Sequence, residues 1–542
     1  MKPEKIGPTS LTNAPAPAPE NSAPVKSRAK AAPAAYYQDG KHAAAPDPNV
    51  VGSTRVIAPA LLDKPGNVLA TRIAAAQDTK SAPLVTTWQH DVPSQPKGKK
   101  VLFVNMVAGD CNLAEYQYNN LVMQQKVGSD DNTNVVGYID MGPDTSANAF
   151  DGKFKGARMY YLKKDPASSK LTSKFDTIAD HVDMSNPKQL LVFLEDAFKR
   201  FPADEVVVVY NDHGNGWQGE MADDSDGSYA TIPGMDSITT RFKAQFKEDL
   251  EAAGVKPPSS IMVVDDACME MNIEKLYGNR TDVDFEAGSE ETIGGAGLPY
   301  TPILGGKPLA SAIADAQKKY VAAAKALKAA AKSGKRAPKV NTGLKDFANS
   351  IIEVVKKNPA GLDTLSAVQV NQDRPVGSTV KTPFDNLVDA VKVLGVAIKQ
   401  TRDKRAITRA ITEAEGYEIP EMKDLQDLCE KISSHSQDKA VLAACTAVIA
   451  NLRPGTDNFL LDNENNPRTH PRSHGLSIFT GDPRTPDFMN TMTYADMPFA
   501  KETGWAEALA SLQPAGSEAP KAAGHWPDGS AIPNREPHGA IN

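Results

Sequence analysis

The chain has 542 residues, enough for its central part to bury a full core and too many for one small domain. A formal charge of −7 and a pI near 5.8 remove the electrostatic argument for a nucleic-acid partner. The four cysteines, Cys111, Cys268, Cys429 and Cys445, are spaced as neither a disulfide framework nor a zinc site, which leaves the compartment open.

Residues 1–96 are rich in Ala, Pro, Lys and Asp, and most of this stretch lacks the apolar content for a packed core. It reads as a flexible extension or a pro-segment, with VIAPALL at 56–62 as the part able to dock. The first thirty residues carry prolines and charges where a secretory signal has its apolar region, and no run has the length of a membrane span. The expectation is a cytoplasmic protein, or one exported by a non-classical route, without a membrane partner.

Order is expected from KKVLFVNMVAGDCNLAEYQYNNLVMQQ at 99–125, a buried strand, a turn and a helix. NVVGYIDMG at 134–142 predicts a second strand and ARMYYL at 157–162 a peripheral one. Asn186 can cap a helix with Pro187 at its first position that runs through LLVFLEDAFKRF. Then come two apolar, β-branched runs that end in chemically useful residues: VVVVYNDHG at 206–214 and SIMVVDDACM at 260–269. Between them lie an acidic loop at 221–237 and a helix at 241–254, a crossover that implies parallel pairing with both following loops on one sheet edge.

That edge would bring His213 and Cys268 together across 55 residues of chain. An imidazole within reach of a thiol can remove its proton, stabilise the thiolate and later protonate an amine leaving group. A buried structural cysteine and an idle turn histidine are the plainer reading. Gly214 and Gly216 favour the chemical one, because glycine lets the backbone approach a ligand; the amides of Gly214 and Cys268 could form an oxyanion hole. Asp266, two residues before Cys268, points to the same side of the strand and could receive a cationic side chain. No metal ligands are predicted, since His213 has no second histidine at ligand spacing and Pro471 interrupts the pair His470 and His474. DDSDG at 223–227 lacks the full EF-hand spacing and reads as a solvated acidic turn, with calcium as the alternative; no cofactor is required.

Further on, NIEKLYG predicts a short helix, VDFEAGSEE at 283–291 a strand, and GGAGLPYTPILGG at 294–306 an irregular wall of the site. Helices are expected at 308–335, 342–356, 383–398 and 421–452, the last burying Cys445. HGLSIFT at 474–480 reads as a core strand, GWAEALASL at 504–512 as a closing helix, and 513–542 as a loose tail.

NDHGNGW at 211–217, DDACMEM at 265–271, GSEETIGGAGLPY at 288–300 and HGLSIF at 474–479, in this order, resemble the motif series of the clostripain family of cysteine peptidases, within the caspase-like group. VLFVNMVAGDCNLAEY at 101–116 resembles that family's first strand and following helix. The resemblance implies a three-layer α/β/α sandwich with a mostly parallel central sheet in a domain over 97–512, elaborated by helices near 310–460. It further implies His213 as general base or acid, Cys268 as nucleophile and a thioacyl-enzyme. It favours cleavage after Arg or Lys, with Asp266 in the first pocket of a monomer acting on proteins or peptides. The chain departs from relatives in having Gly297 and Leu298 where many carry a Gly-Trp pair. The competing class is an inactive caspase-like binding or scaffold protein. Related peptidases can cut themselves at basic residues. Gly214–Thr240 contains no Lys or Arg, whereas the extension offers Lys26, Arg28, Lys30, Arg55, Arg72, Lys80 and Lys97, so self-trimming is expected before about residue 100.

Overall fold

A computed structural model describes residues 82–95, 97–142, 154–245, 257–305, 343–359, 361–371, 381–487 and 492–521. VIAPALL and the rest of the extension before 82, the later part of the helix expected at 241–254, the expected helix at 308–335 and the tail after 521 lie outside the described residues.

Among the described residues there are thirteen strands: β1 (Lys99–Ala108), β2 (Thr133–Met141), β3 (Gly156–Tyr161), β4 (Phe175–Ala179), β5 (Ala203–Asn211), β6 (Glu220–Asp223), β7 (Ser228–Ala230), β8 (Ser260–Asp266), β9 (Phe285–Gly288), β10 (Thr364–Gln369), β11 (Met422–Asp424), β12 (Leu460–Asn465) and β13 (Ser477–Phe479). Nine form one sheet in the order β12-β10-β9-β8-β5-β1-β2-β3-β4. The pairings β2 to β1, β1 to β5, β5 to β8 and β8 to β9 are parallel, while β2 to β3, β3 to β4, β9 to β10 and β10 to β12 are antiparallel. The sheet is therefore mixed, not mostly parallel: a parallel centre carries antiparallel strands on both flanks. The physical reason is the connections. Helical crossovers link the central strands, whereas β3, β4, β10 and β12 run back antiparallel to their neighbours.

Alternation along the central strands makes the three layers. Leu102, Val104, Met106, Val206, Val208, Ile261 and Val263 pack under the helices Pro187–Arg200 and Ile232–Gln245. Val101, Phe103, Val107, Val207, Val209, Met262 and Val264 face the helices Ala114–Gln125 and Gly343–Lys357. A strand covered on both faces needs apolar residues at every position, which is why these segments are continuous Val, Ile and Leu runs. A third core unites the helices Pro383–Gln400, Lys404–Glu413, Leu425–His435 and Lys439–Asn451 with Trp217 and Trp505. No helix among the described residues is long and apolar enough to cross a membrane.

Several elements differ from expectation. The acidic loop is a hairpin of β6 and β7, and the helix after it begins at Ile232. The single helix expected at 421–452 is strand β11 and two helices, the second capped by Asp438. β13 pairs with β11 in a separate ribbon instead of joining the main sheet. Residues 82–95, read as part of the loose extension, are docked. The Val92 amide donates to Asp176 Oδ1 at 2.7 Å, Arg200 Nη2 donates to the Val92 carbonyl at 2.7 Å, and the Gln189 side chain exchanges two hydrogen bonds with the Val85 backbone. Polar partners on the sheet and its helix, invisible in the segment's own composition, hold it there.

Candidate active site

β1 is the point at which strand order reverses, with β2 on one side and β5 on the other. The helix after β1 lies on one face of the sheet and the helix before β5 on the other, the kind of switch point at which open α/β sheets place their sites. Sequence-predicted residues converge at this edge. The last pair of the β5 to β8 ladder is Asn211 with Asp266, so His213 and Cys268 each stand two residues beyond it. Their backbones meet closely: a Cβ at Gly214 would lie 2.4 Å from the Cys268 carbonyl oxygen and 3.0 Å from its amide nitrogen. Only hydrogen fits there.

Of the four cysteines, Cys268 alone is not fully buried. Its Sγ accepts from the Ile293 amide at 3.3 Å, a contact that favours sulfur with negative charge. The next residue, Met269, is buried with φ of +62°, a conformation costing about 1–3 kcal/mol for a side chain of this kind. Met221 holds φ of +57°, and its amide donates to the His213 carbonyl at 3.0 Å. The strand ends that carry thiol and imidazole are thus set in strained turns. A buried ammonium ties them together: Lys275 Nζ lies 2.6 Å from Glu220 Oε1, 2.8 Å from Asp265 Oδ1 and 3.5 Å from Glu270 Oε2. Glu220 bridges to Gly214, and Asp265 and Glu270 flank Cys268 in sequence.

His213 is buried, and its Nε2 lies 2.6 Å from Asn112 Oδ1. The Asp212 carboxylate is held beside it: Oδ1 accepts from Cys111 Sγ at 3.1 Å and Gln117 Nε2 at 3.0 Å, and Oδ2 from the Ala222 amide. One ligating atom each of Cys111, Asp212 and His213 lies within 4.8 Å of the others, so a second thiol stands close to the imidazole. Burial, with the Asp212 charge added, pushes the Cys111 thiol well above the ordinary thiol range. It is a protonated donor at neutral pH.

Asp266 is buried at the end of β8. Its Oδ1 accepts from the Leu298 amide at 3.0 Å, and its Oδ2 from the Tyr300 hydroxyl at 2.7 Å and Asn211 Nδ2 at 2.8 Å. Asn120 Nδ2 is 3.5 Å away. Burial raises the carboxyl to about 6, the Tyr300 and Leu298 hydrogen bonds working against the rise. The glycine-rich wall at 294–299 closes over this carboxylate and continues into the short helix Tyr300–Gly305, which the glycine content had argued against.

The acidic turn is solvated only in part, at Asp224 and Ser225. Asp223 is fully buried, and ligating atoms of Asp110, Asp140, His181 and Asp223 lie within 4.8 Å of one another, as do those of Asp183, Asp223 and Asp226. His181 bridges Asp140 and Asp226, each at 2.8 Å; burial lowers its pKa, but these two hydrogen bonds outweigh that and push it up to about 11. The imidazolium is the cluster's built-in counter-charge.

Asn112, Cys111, Asn120, Asn211, Tyr300 and His181 were not singled out by sequence. Their roles come from partners far away in the chain, and only the position of Asn112 in the turn after the first strand offered a hint.

A model of the clostripain family matches residues 104–511 of the chain. No curated protein matches. Among solved structures, a secreted C11 cysteine protease from Bacteroides thetaiotaomicron in complex with an irreversible peptide inhibitor is 15% identical over 76% of this chain and 99% of that one, with a TM-score of 0.46. An inactive zymogen C11 protease from Parabacteroides distasonis is 15% identical over the same shares, with a TM-score of 0.45. A further secreted C11 protease from Bacteroides thetaiotaomicron, iotapain, is 12% identical over 77% of this chain and 99% of that one, with a TM-score of 0.47.

Proposed function

The chain belongs to the clostripain family and is a cysteine-type hydrolase; from that premise we propose that it is an endopeptidase cleaving after Arg or Lys. In this reading His213 takes the Cys268 proton, and the thiolate attacks the scissile carbonyl. The amides of Gly214 and Cys268 receive the developing oxyanion, and the imidazolium protonates the departing amine. A water deprotonated by His213 then hydrolyses the thioacyl-enzyme and frees Cys268. Asp266 holds the cationic side chain on the acyl side of the bond.

The observation that carries the proposal is the shared edge of β5 and β8: His213 and Cys268 each stand two residues beyond the last pair of that parallel ladder, the Gly214 backbone passes against that of Cys268, and a carboxylate stands two residues before the cysteine. The catalytic unit is taken as 97–512, with segment 82–95 moored to it, and self-processing as trimming upstream of about residue 100. No cofactor is assigned a step, and the enzyme is taken as a monomer. Fluorogenic peptides ending in Arg, Lys, Asp or Leu test the specificity: the basic pair should be turned over far faster, and equal rates with Leu would overturn it. Wild type and Cys268→Ala incubated in parallel test the trimming, since fragments ending before residue 100 should form only with the wild type.

A further inference from the structure

We propose that Cys111, Asp212 and His213 form an inhibitory binding site for a zinc ion, which takes the imidazole out of catalysis without occupying Cys268. The effect on activity rests on the His213 and Cys268 reading of the site; the binding of the ion does not. β1 and β5 are parallel neighbours with Val107 opposite Asn211, so the turn after β1 brings Cys111 to the end of β5, where Asp212 and His213 follow. One thiol sulfur, one carboxylate oxygen and one ring nitrogen of these residues lie within 4.8 Å of one another, and all three side chains are buried. Histidine spacing in the sequence could not reveal such a set, because its members come from the ends of two strands.

The donors suit zinc. Zinc holds thiolate sulfur at about 2.3 Å and imidazole nitrogen or carboxylate oxygen at about 2.0–2.2 Å in a tetrahedral array, which sets the ligand atoms about 3.5 Å apart. Cys111 Sγ and Asp212 Oδ1 stand 3.1 Å apart and no pair exceeds 4.8 Å, so shifts of about 1 Å bring the three onto an ion. Calcium and magnesium, by contrast, call for oxygen ligands throughout. Neighbouring groups hold the donors in place: the Leu113 amide donates to Cys111 Sγ at 3.4 Å, Gln117 Nε2 to Asp212 Oδ1 at 3.0 Å, and the Ala222 amide to Asp212 Oδ2. Three protein ligands leave the fourth position to water.

The charges balance as well. Without the ion, Cys111 is a thiol that donates to Asp212. On binding, the S–H bond breaks, its proton leaves to solvent and a zinc–sulfur bond forms, with no change of oxidation state. Thiolate and carboxylate together cancel the two positive charges of the ion, so the buried site gains no net charge. A ring nitrogen bound to zinc has its lone pair committed and cannot accept the Cys268 proton.

Two experiments test the proposal, both on enzyme first stripped of metal by a chelator. Cys268→Ala titrated with cobalt(II), a spectroscopic stand-in for zinc, should bind one ion per chain, with the visible bands of four-coordinate cobalt and a near-ultraviolet sulfur-to-cobalt band. In the same background Cys111→Ser should lose the sulfur band, and His213→Ala should keep it while binding at least about 30-fold more weakly. No sulfur band in Cys268→Ala, its survival in Cys111→Ser, or an unchanged affinity in His213→Ala would overturn the site. This readout needs no substrate, so it stands if the peptidase reading fails. Kinetics tests the effect on activity: zinc should lower the wild-type kcat with KM within about twofold, reversibly on adding EDTA. The half-inhibiting concentration should rise at least about 30-fold in Cys111→Ser, each enzyme measured against its own zinc-free rate. Equal sensitivity of the two would place the ion on Cys268 and overturn the inhibitory role.

Discussion

Gly297 lies directly over the Asp266 carboxylate: a Cβ at position 297 would come within 2.6 Å of Oδ2, and the residue holds φ of +64°. The wall therefore reaches the carboxylate this closely only because it lacks a side chain there. Gly297→Ala is expected to lower kcat/KM for Arg and Lys peptides by about tenfold or more, mainly through KM, and to cost about 1 kcal/mol of stability from the backbone. Kinetics paired with a thermal melt separates the two effects. An unchanged KM would remove Gly297 from the pocket.

Asp266 itself predicts a pH dependence. Its carboxyl is raised to about 6, and only the anion attracts a guanidinium or ammonium. Binding of a reversible arginine-based inhibitor to Cys268→Ala, followed by calorimetry, should strengthen as pH rises through about 6 and level off above 7. Asp266→Asn should bind weakly with no such rise. For stability the sign is opposite: a carboxyl raised above its ordinary 3.8 favours the fold most at low pH, and the benefit is lost as pH passes 6.

The thiols of Cys111 and Cys268 should behave differently. Cys111 is buried and held protonated, whereas Cys268 is partly exposed with an amide aimed at its sulfur. Iodoacetamide on the native protein should carboxymethylate Cys268 well before Cys111, as read by peptide mass spectrometry. Cys111→Ser, which keeps a donor to Asp212, should retain activity within about threefold, while Cys268→Ala should lose at least about 10⁴-fold.

His181 neutralises a buried group of carboxylates, so its removal leaves them uncompensated. His181→Ala should lose about 3 kcal/mol or more. Because the folded value is near 11 against an ordinary 6.5, the histidine's contribution is full below about 6.5 and disappears as pH climbs through 11. The difference in Tm between wild type and variant should therefore shrink over that interval. Since the imidazolium already occupies the centre of the cluster, EGTA should leave the wild-type Tm and activity unchanged, and a clear drop would assign a calcium ion to these aspartates.

The central sheet was legible because strands buried on both faces must be apolar throughout, as VVVVY at 206–210 and IMVV at 261–264 are. Asn186 with Pro187 marked a helix start in the same way, and Asn186 caps it by accepting from the Lys188 amide. The flanks were harder. LLDNEN of β12 carries only two buried apolar residues on an edge, and the turn-linked strands EMAD and SYA are too short for a period to register. HGLSIFT revealed a strand without revealing its partner, because alternation records which face is buried and not which neighbour is bonded. The placing of His213 and Cys268 at one edge could be read since strand polarity alone brings them there. The contact of Asn112 with His213 spans 101 residues and depends on a side-chain direction that no local pattern encodes.

Strand polarity also decides where Lys97 stands. It precedes β1, which runs from Lys99 to Ala108, while Cys268 follows the carboxyl end of the parallel β8. At roughly 3.3 Å per residue, the ten residues of β1 separate the two edges by about 33 Å. The chain before Lys97 is tethered at Val85, Val92 and Gln95, and Lys97 itself is only two residues from the strand. No molecule can therefore bend this bond into its own cleft. Scission at Lys97 is a reaction between molecules, so its half-time should lengthen in proportion to dilution, and a trace of active enzyme should shorten it for an inactive Cys268→Ala pool.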